Sequence, residues 1–226
     1  MPHWGMSAWH YPGDYAMKII KEHSDFKFTG FYLTPSPAHE KSHGWMDKRD
    51  VLESQGWGIA PIFSGRQPSS NERGTSLQGA FDANSAVSLA RGAGFPPGTV
   101  IYLDVGAGIK VPASFIEYIK AWTERIEGHS SAGYHPGVRC YYKSVSQVSQ
   151  ETKARIWAVK VLPTWNCKYD VTESEAPSPS GCGLSIKTII MWELLERCIK
   201  SYKDVIVEVN LIASSSINPG MATQAP

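Results

Sequence analysis

Short β-branched and aromatic segments recur along this chain, and most are separated by stretches with helical apolar spacing. Strands fall at 3–9 ("HWGMSAW"), 28–33, 57–63, 99–105, 133–142, 154–162, 188–194 and 205–212. Helical patterns fall at 15–23, 45–56, 78–94 and 113–126, with Gly56 and Gly94 as stops and Pro112 at a helix start. Strands that alternate with helices cannot be joined by tight hairpins, so the pattern favours parallel pairing and an α/β fold. Eight such units in a chain of 226 residues fit a distorted or shortened (β/α)8 TIM-type barrel of one domain over 1–213. A doubly wound open sheet is the rival. The segment 173–183 ("ESEAPSPSGCG") reads as a loop, and 214–226 as a loose C-terminal tail.

Composition narrows the function. Lys and Arg number 22 against 21 Asp and Glu, a net charge of +1, which offers no electrostatic footprint for nucleic acid or an anionic membrane. No apolar run reaches the ~20 residues of a membrane-inserting helix. The start "MPHWGMSAWHYPG" lacks a basic n-region and apolar stretch, which fits a cytoplasmic protein or an extracellular one whose export signal lies outside this sequence. The four cysteines form no C-x-x-C pair and the seven histidines show no ligand spacing, so no metal and no cofactor are expected. The cysteines read as buried thiols, with an oxidised pair such as Cys182–Cys198 as the alternative. "VGAGIKV" after the fourth strand carries Gly106-x-Gly108, but Val111 stands at the third glycine position of a dinucleotide fingerprint and Pro112 follows.

In a barrel the reactive groups sit at the strand ends. That rule selects Ser7, Asp104, Glu193 and Glu208. Side chains alternate along a strand, so Tyr102, Asp104 and residue 106 share one face. Two acids at 104 and 106 would make an acid/base pair for glycoside hydrolysis. The second is Gly106, so the strand presents half of such a pair. Trp9 at the first strand's exit and Tyr32 at the end of the second are candidates for a sugar-stacking wall, against packing on neighbouring helices. Arg66 and Gln67 after the third strand could bind sugar hydroxyls or anchor the next loop. One of Tyr141 and Tyr142 must face the interior. Trp157 and Trp192 read as core, although either could show an edge in a groove. Asp82 reads as a brace.

Taken together, "WGMSAWHYPG", "FTGFYLTPSPAH", "WMDKRDVLESQGWGIAPIFSGRQ", "QGAFDANSAVSLARGAGFPPGTVIYLDV", "GYHPGVRCYY" and "VEVNLI" resemble the glycoside hydrolase-like domain of unknown function 1906, a relative of the family 25 lysozymes, which cleave peptidoglycan. The resemblance implies a glycan-sized groove at the strand ends. It also implies an aspartate on the first strand, Asp-x-Glu on the fourth and an aspartate on the last. The chain departs from this at Ser7, at Gly106 in the position of the proton-donating glutamate, and at Glu208; Trp192-Glu193 stands where Trp-Gln is frequent. The expected function is therefore binding of a carbohydrate, in particular a cell-wall glycan such as peptidoglycan, with little or no hydrolysis. Asp104, Glu208, Tyr102 and Trp192 would line the site, with Ser7, Trp9, Tyr32, Arg66, Gln67, Gly106 and Tyr142 binding substrate. The alternatives are an active glycosidase or transglycosidase pairing Asp104 with Glu208 or Glu193, and an interaction module using loop 163–186.

Overall fold

The computed structural model describes residues 1–41, 43–68, 74–106, 108–129, 133–160, 176, 178, 180 and 189–221. The strands are β1 (His3–Ser7), β2 (Phe28–Leu33), β3 (Gly58–Ser64), β4 (Val100–Asp104), β5 (His135–Tyr141), β6 (Arg155–Val159), β7 (Ile189–Tyr202) and β8 (Val205–Ser214). They close into one barrel in sequence order. The α-helices are α1 (Asp14–His23), α2 (Arg49–Ser54), α3 (Ser76–Gly92), α4 (Ile116–Gly128) and α5 (Val145–Glu151). The α/β barrel expected from the alternating pattern is the architecture observed, and the open sheet is not.

One strand departs from the expected parallel order. β8 runs antiparallel to both β7 and β1, whereas the remaining neighbours are parallel. The cause is the connection: only Lys203 and Asp204 separate β7 from β8, and a two-residue link permits a hairpin but no crossover. β7 also outruns the expected 188–194 by a further arm. Register shifts between Glu193 and Leu195 and between Leu195 and Cys198 mark bulges, and Arg197 takes φ +54. Bulges bend a strand and raise its twist, which turns the β7–β8 arm away from the barrel wall. Cys198 on this arm is disulfide-bonded, while Cys140 is a free, buried thiol. Cys167, Cys182 and all of loop 163–186, including 173–183, except residues 176, 178 and 180 lie outside the described residues.

Residues 214–221 make defined contacts with the barrel. Ser214 pairs with His3 and Met191, Val100 N–H donates to the Gly220 carbonyl, Ile59 N–H to Asn218 Oδ1, and the Tyr102 hydroxyl to the Pro219 carbonyl at 2.9 Å. This segment closes the barrel at the N-terminal ends of the strands. Small-residue composition suggested mobility, but backbone groups at an open barrel end need partners and the segment supplies them. Helix α5 escaped the sequence reading because "VSQVSQE" is rich in residues of weak helix propensity; it forms by burying Val145 and Val148.

Helix α3 begins at Ser76 rather than 78, where Thr75 accepts from Gln78 N–H and Gln78 answers with a reciprocal bond, a capping box. It approaches α4 so closely that a Cβ on Gly79 would lie 2.3 Å from the Tyr118 carbonyl oxygen. Gly79→Ala should therefore destabilise the protein by about 1–3 kcal/mol through overpacking, despite alanine's better helix propensity. Urea denaturation would measure this, and a stabilised variant would contradict the close packing.

Candidate active site

The centre of the barrel mouth is a buried cation between two carboxylates. Parallel pairing sets Asp104 of β4 beside Arg139 of β5, and Glu193 reaches the same guanidinium from β7. Arg139 Nη1 donates to Asp104 Oδ1 at 2.9 Å; Nε and Nη2 grip the two oxygens of Glu193 at 2.9–3.1 Å. The Trp157 ring lies below, 5.5 Å from the guanidinium carbon. Glu193 is fully buried, whereas Asp104 retains some solvent access. Two acids share one cation, so one negative charge lacks full compensation. Burial pushes the Glu193 carboxyl up to about 7 against the pull of Arg139, and the paired acids hold Arg139 well above its usual value.

The position that would carry an acid two residues beyond Asp104 is closed. Gly106 has φ +89, and its N–H donates to Asp104 Oδ1 at 3.0 Å. A Cβ there would sit 2.5 Å from Gln67 Oε1. Gln67 is held by its amide, which donates to the carbonyls of Gly65 and Asp104. The space that a side chain at 106 would enter is thus occupied by Gln67, on a backbone that favours glycine.

Ser7 is buried and opposite Asn210 on β8. The Tyr32 hydroxyl lies in the fields of Arg139, Asp104 and Glu193, and burial raises its pKa far above that of a free phenol. Above it stands an aromatic wall. Trp9 is 49% exposed and meets His39 edge-on, with ring centroids 4.0 Å apart. His43 lies 5.0 Å from both, and its Nδ1 is 3.4 Å from that of His10. Burial and neighbouring histidines lower the pKa values of His39 and His43, so this part of the wall is neutral at pH 7.

Other expected site residues lie elsewhere. The fully buried Tyr102 points to the barrel floor, because its hydroxyl meets the C-terminal segment instead of a groove. Trp192 is fully buried and, next to inward-facing Glu193, takes the outward side of β7. Glu208 is on the arm, beyond the barrel rim, where Arg197 Nε approaches it at 3.4 Å. The antiparallel β8 reverses the relation between sequence position and height, and this carries Glu208 above the mouth. Arg66 pairs with buried Asp82, which also accepts the Tyr118 hydroxyl; the brace expected of Asp82 is what it forms. Arg66 also borders a cavity of about 420 Å³ with Pro35, Pro37, Phe63 and Phe81, outside the Arg139 network. Tyr142 opens the turn after β5, 4.7 Å from the Tyr141 ring, with Lys143 and Lys160 over its face. Sequence reasoning missed Arg139, although an arginine within the apolar segment "GVRCYY" was a usable signal. It also missed the joining of His39 and His43 to Trp9, which no spacing announces. Among the described residues, no group of three or more His, Cys, Asp or Glu side chains is arranged to hold a metal ion.

A barrel of this topology, with one strand-end aspartate retained beside a glycine, can be compared with known proteins. Residues 18–182 match the Rv2525c-like, glycoside hydrolase-like domain. The chain belongs to that family. Comparison with curated protein sequences gives no match. Among solved structures, an uncharacterized B. stearothermophilus protein is similar over 97% of this chain and 99% of its own, at 20% identity and TM-score 0.66. The Mycobacterium tuberculosis Tat-secreted protein Rv2525c, solved in complex with HEPES, is similar over 98% of this chain and 99% of its own, at 13% identity and TM-score 0.67. The Clostridium perfringens spore cortex lytic enzyme SleM is similar over 97% of this chain and 69% of its own, at 12% identity and TM-score 0.66. At these identities the likeness is one of fold: a glycoside hydrolase-like barrel shared with lysozyme-type proteins.

The shared guanidinium gives a pH-resolved prediction. Arg139→Met leaves two acids buried without their cation, at a cost of about 3–5 kcal/mol near pH 7. Lowering the pH protonates those acids and should return part of the loss, so the gap from wild type narrows toward pH 5. In the wild type, the raised Glu193 value means that the folded state holds its proton more tightly than the unfolded chain. Its contribution therefore falls as pH rises from the usual carboxylate range through about 7. Chemical denaturation of both proteins at several pH values checks the sign; a gap that widens on acidification would refute the shared-charge account.

Proposed function

We propose that this protein binds a glycan, of the cell-wall type that lysozyme-like barrels act on, and cleaves it little or not at all. One observation carries the reading: the slot for an acid beside Asp104 is filled by Gln67, next to a glycine at φ +89. The carboxyls that could substitute are poorly placed for the task. Glu193 has no exposed surface and both its oxygens are engaged by Arg139; Glu208 is on the arm with Arg197. Losing a positioned general acid removes about 10²–10⁴ in rate. A natural sugar alkoxide leaves slowly without a proton. Binding features remain. Exposed Trp9 offers an indole for stacking, while Asp104 and Gln67 offer hydrogen-bonding atoms at the mouth.

A second reading, an active glycosidase pairing Asp104 with Glu193, draws on the value near 7 to which Glu193 is pushed, suited to a general acid. It requires Arg139 to release Glu193 when substrate enters. The interaction-module reading rests on loop 163–186 and gains nothing from the described residues.

Calorimetry with solubilised peptidoglycan fragments and chitin oligosaccharides, alongside a reducing-end assay, separates these readings. The first predicts saturable binding, weakened by Trp9→Ala, with no enzymatic release of reducing ends. Turnover near 1 s⁻¹ or faster, abolished by both Asp104→Asn and Glu193→Gln, would replace it with the second. Absence of binding to every polymer tested would refute both. Gly106→Glu alone should not create activity, since the positive φ costs about 1–2 kcal/mol for a residue with a Cβ and Gln67 blocks the new side chain.

A further inference from the structure

The tip of the β7–β8 arm packs on α1 and the chain after it through Tyr15–Asp204 and Phe26–Tyr202, and Glu208 lies on the exposed face of the arm. Ser7 shares a face with Gly30, where a Cβ would meet the Ser7 Cβ, and Asn210 is the residue paired with Ser7 on β8. Asn210 has no register partner on β7, and from Val209 to Val205 the pairing with β7 proceeds one residue at a time. Alternation therefore puts Ile206, Glu208 and Asn210 on one face, while Val205, Val207 and Val209 turn the other way. Glu208 stands two residues, or about 7 Å, above Asn210 along the strand. Ile206 on this face is 75% exposed, and Ile199, which pairs with Glu208, is 69% exposed. Beyond Ser7, β1 no longer covers β8, and a cleft of about 280 Å³ opens between the arm and the chain leaving β1. Trp9, His10, Tyr11, Pro12 and Ala16 line one side; residues of both faces of β8, from Val205 to Glu208, line the other, so the cleft runs along the strand's edge.

The charges of this cleft are asymmetric. Glu208 is half-exposed, and its partner Arg197 is a solvent-exposed side chain approaching at 3.4 Å, a weak and easily displaced contact. Of the nearby cations, Lys48 is engaged by Asp14 at 3.2 Å, and His39 and His43 are neutral at pH 7. A carboxylate and aromatic rings that line one cleft, with apolar residues beside them, suit a ligand that combines a positive charge with a hydrophobic ring face.

We propose that this cleft is a subsite for a sugar bearing a free amino group, its ammonium against Glu208 and its ring face on Trp9. The inference rests on the glycan-binding reading and specifies which sugar unit lies above the mouth. The bound ammonium takes the place of Arg197, so the arginine acts as an internal competitor that an uncharged or N-acetylated sugar has no means to exploit.

Calorimetry at pH 6, where a sugar amine is protonated, tests this with the glucosamine tetramer and the N-acetylglucosamine tetramer. The wild type should bind the free-amine tetramer at least tenfold more tightly, with a preference that shrinks as salt is raised. Glu208→Gln should bring the two affinities to within about twofold, and Arg197→Ala should increase affinity for the free amine. Circular dichroism and thermal melts establish that both surface variants fold. Binding of both tetramers with equal affinity, or a free-amine preference that survives Glu208→Gln, overturns the subsite and leaves the glycan reading standing. Failure of both tetramers and of peptidoglycan fragments to bind overturns the two together.

Discussion

Arg139 is the group on which the mouth of this barrel depends. It reaches two carboxylates from strands on either side of its own, lies over the Trp157 ring, and has almost no contact with solvent. A buried guanidinium is tolerable only when nearly every donor finds an acceptor. Asp104 and Glu193 meet that need, and in doing so each loses freedom to do something else. Glu193 is fixed by two oxygens and sealed from substrate. Asp104 is fixed by one oxygen, which also accepts the Gly106 N–H, and keeps partial access to the groove. The ion triad is a structural keystone first, and it sets which carboxylate can meet a ligand.

That arrangement also ties the glycine at 106 to its surroundings. The backbone after Asp104 turns through a left-handed glycine and folds its N–H back onto the aspartate, and Gln67 fills the adjoining space while tying β3 to β4. Charge compensation, backbone turn and side-chain packing are mutually consistent in the form without the acid. The barrel's other end has a similar economy. The C-terminal segment supplies carbonyls to Val100 and Tyr102, so an inward tyrosine that alternation puts on the same face as Asp104 serves closure instead of recognition.

The sequence made much of the wall legible. All eight strands lie within two residues of their expected starts, because short apolar segments bounded by glycine, proline and polar turns leave few other registers. Asp104 was legible as the residue ending a buried strand, and Trp9 as a wall candidate. Trp192 is buried, as its reading as core had it; the height of Glu208 and the outward face of Trp192 were not legible for one reason: inferring which strand end or face a residue occupies requires strand direction and parity. A two-residue hairpin reversed the first on β8, and the inward-facing Glu193 fixed the second on β7. Arg139 was overlooked because a charged residue inside an apolar segment acquires meaning only from partners 35 and 54 residues away.

The amino-acid sequence by itself determined the alternating architecture, the lack of a glutamate after Asp104, and the near-neutral charge balance. These follow from local periodicity and residue identity, which need no knowledge of distant contacts. Tertiary structure alone decided that two acids share one arginine, that Gln67 occupies the space beside Gly106, and that Glu208 stands on an arm beyond the barrel rim. Each of those depends on barrel closure, which brings residues far apart in the chain to within hydrogen-bonding distance and sets the direction in which every side chain points.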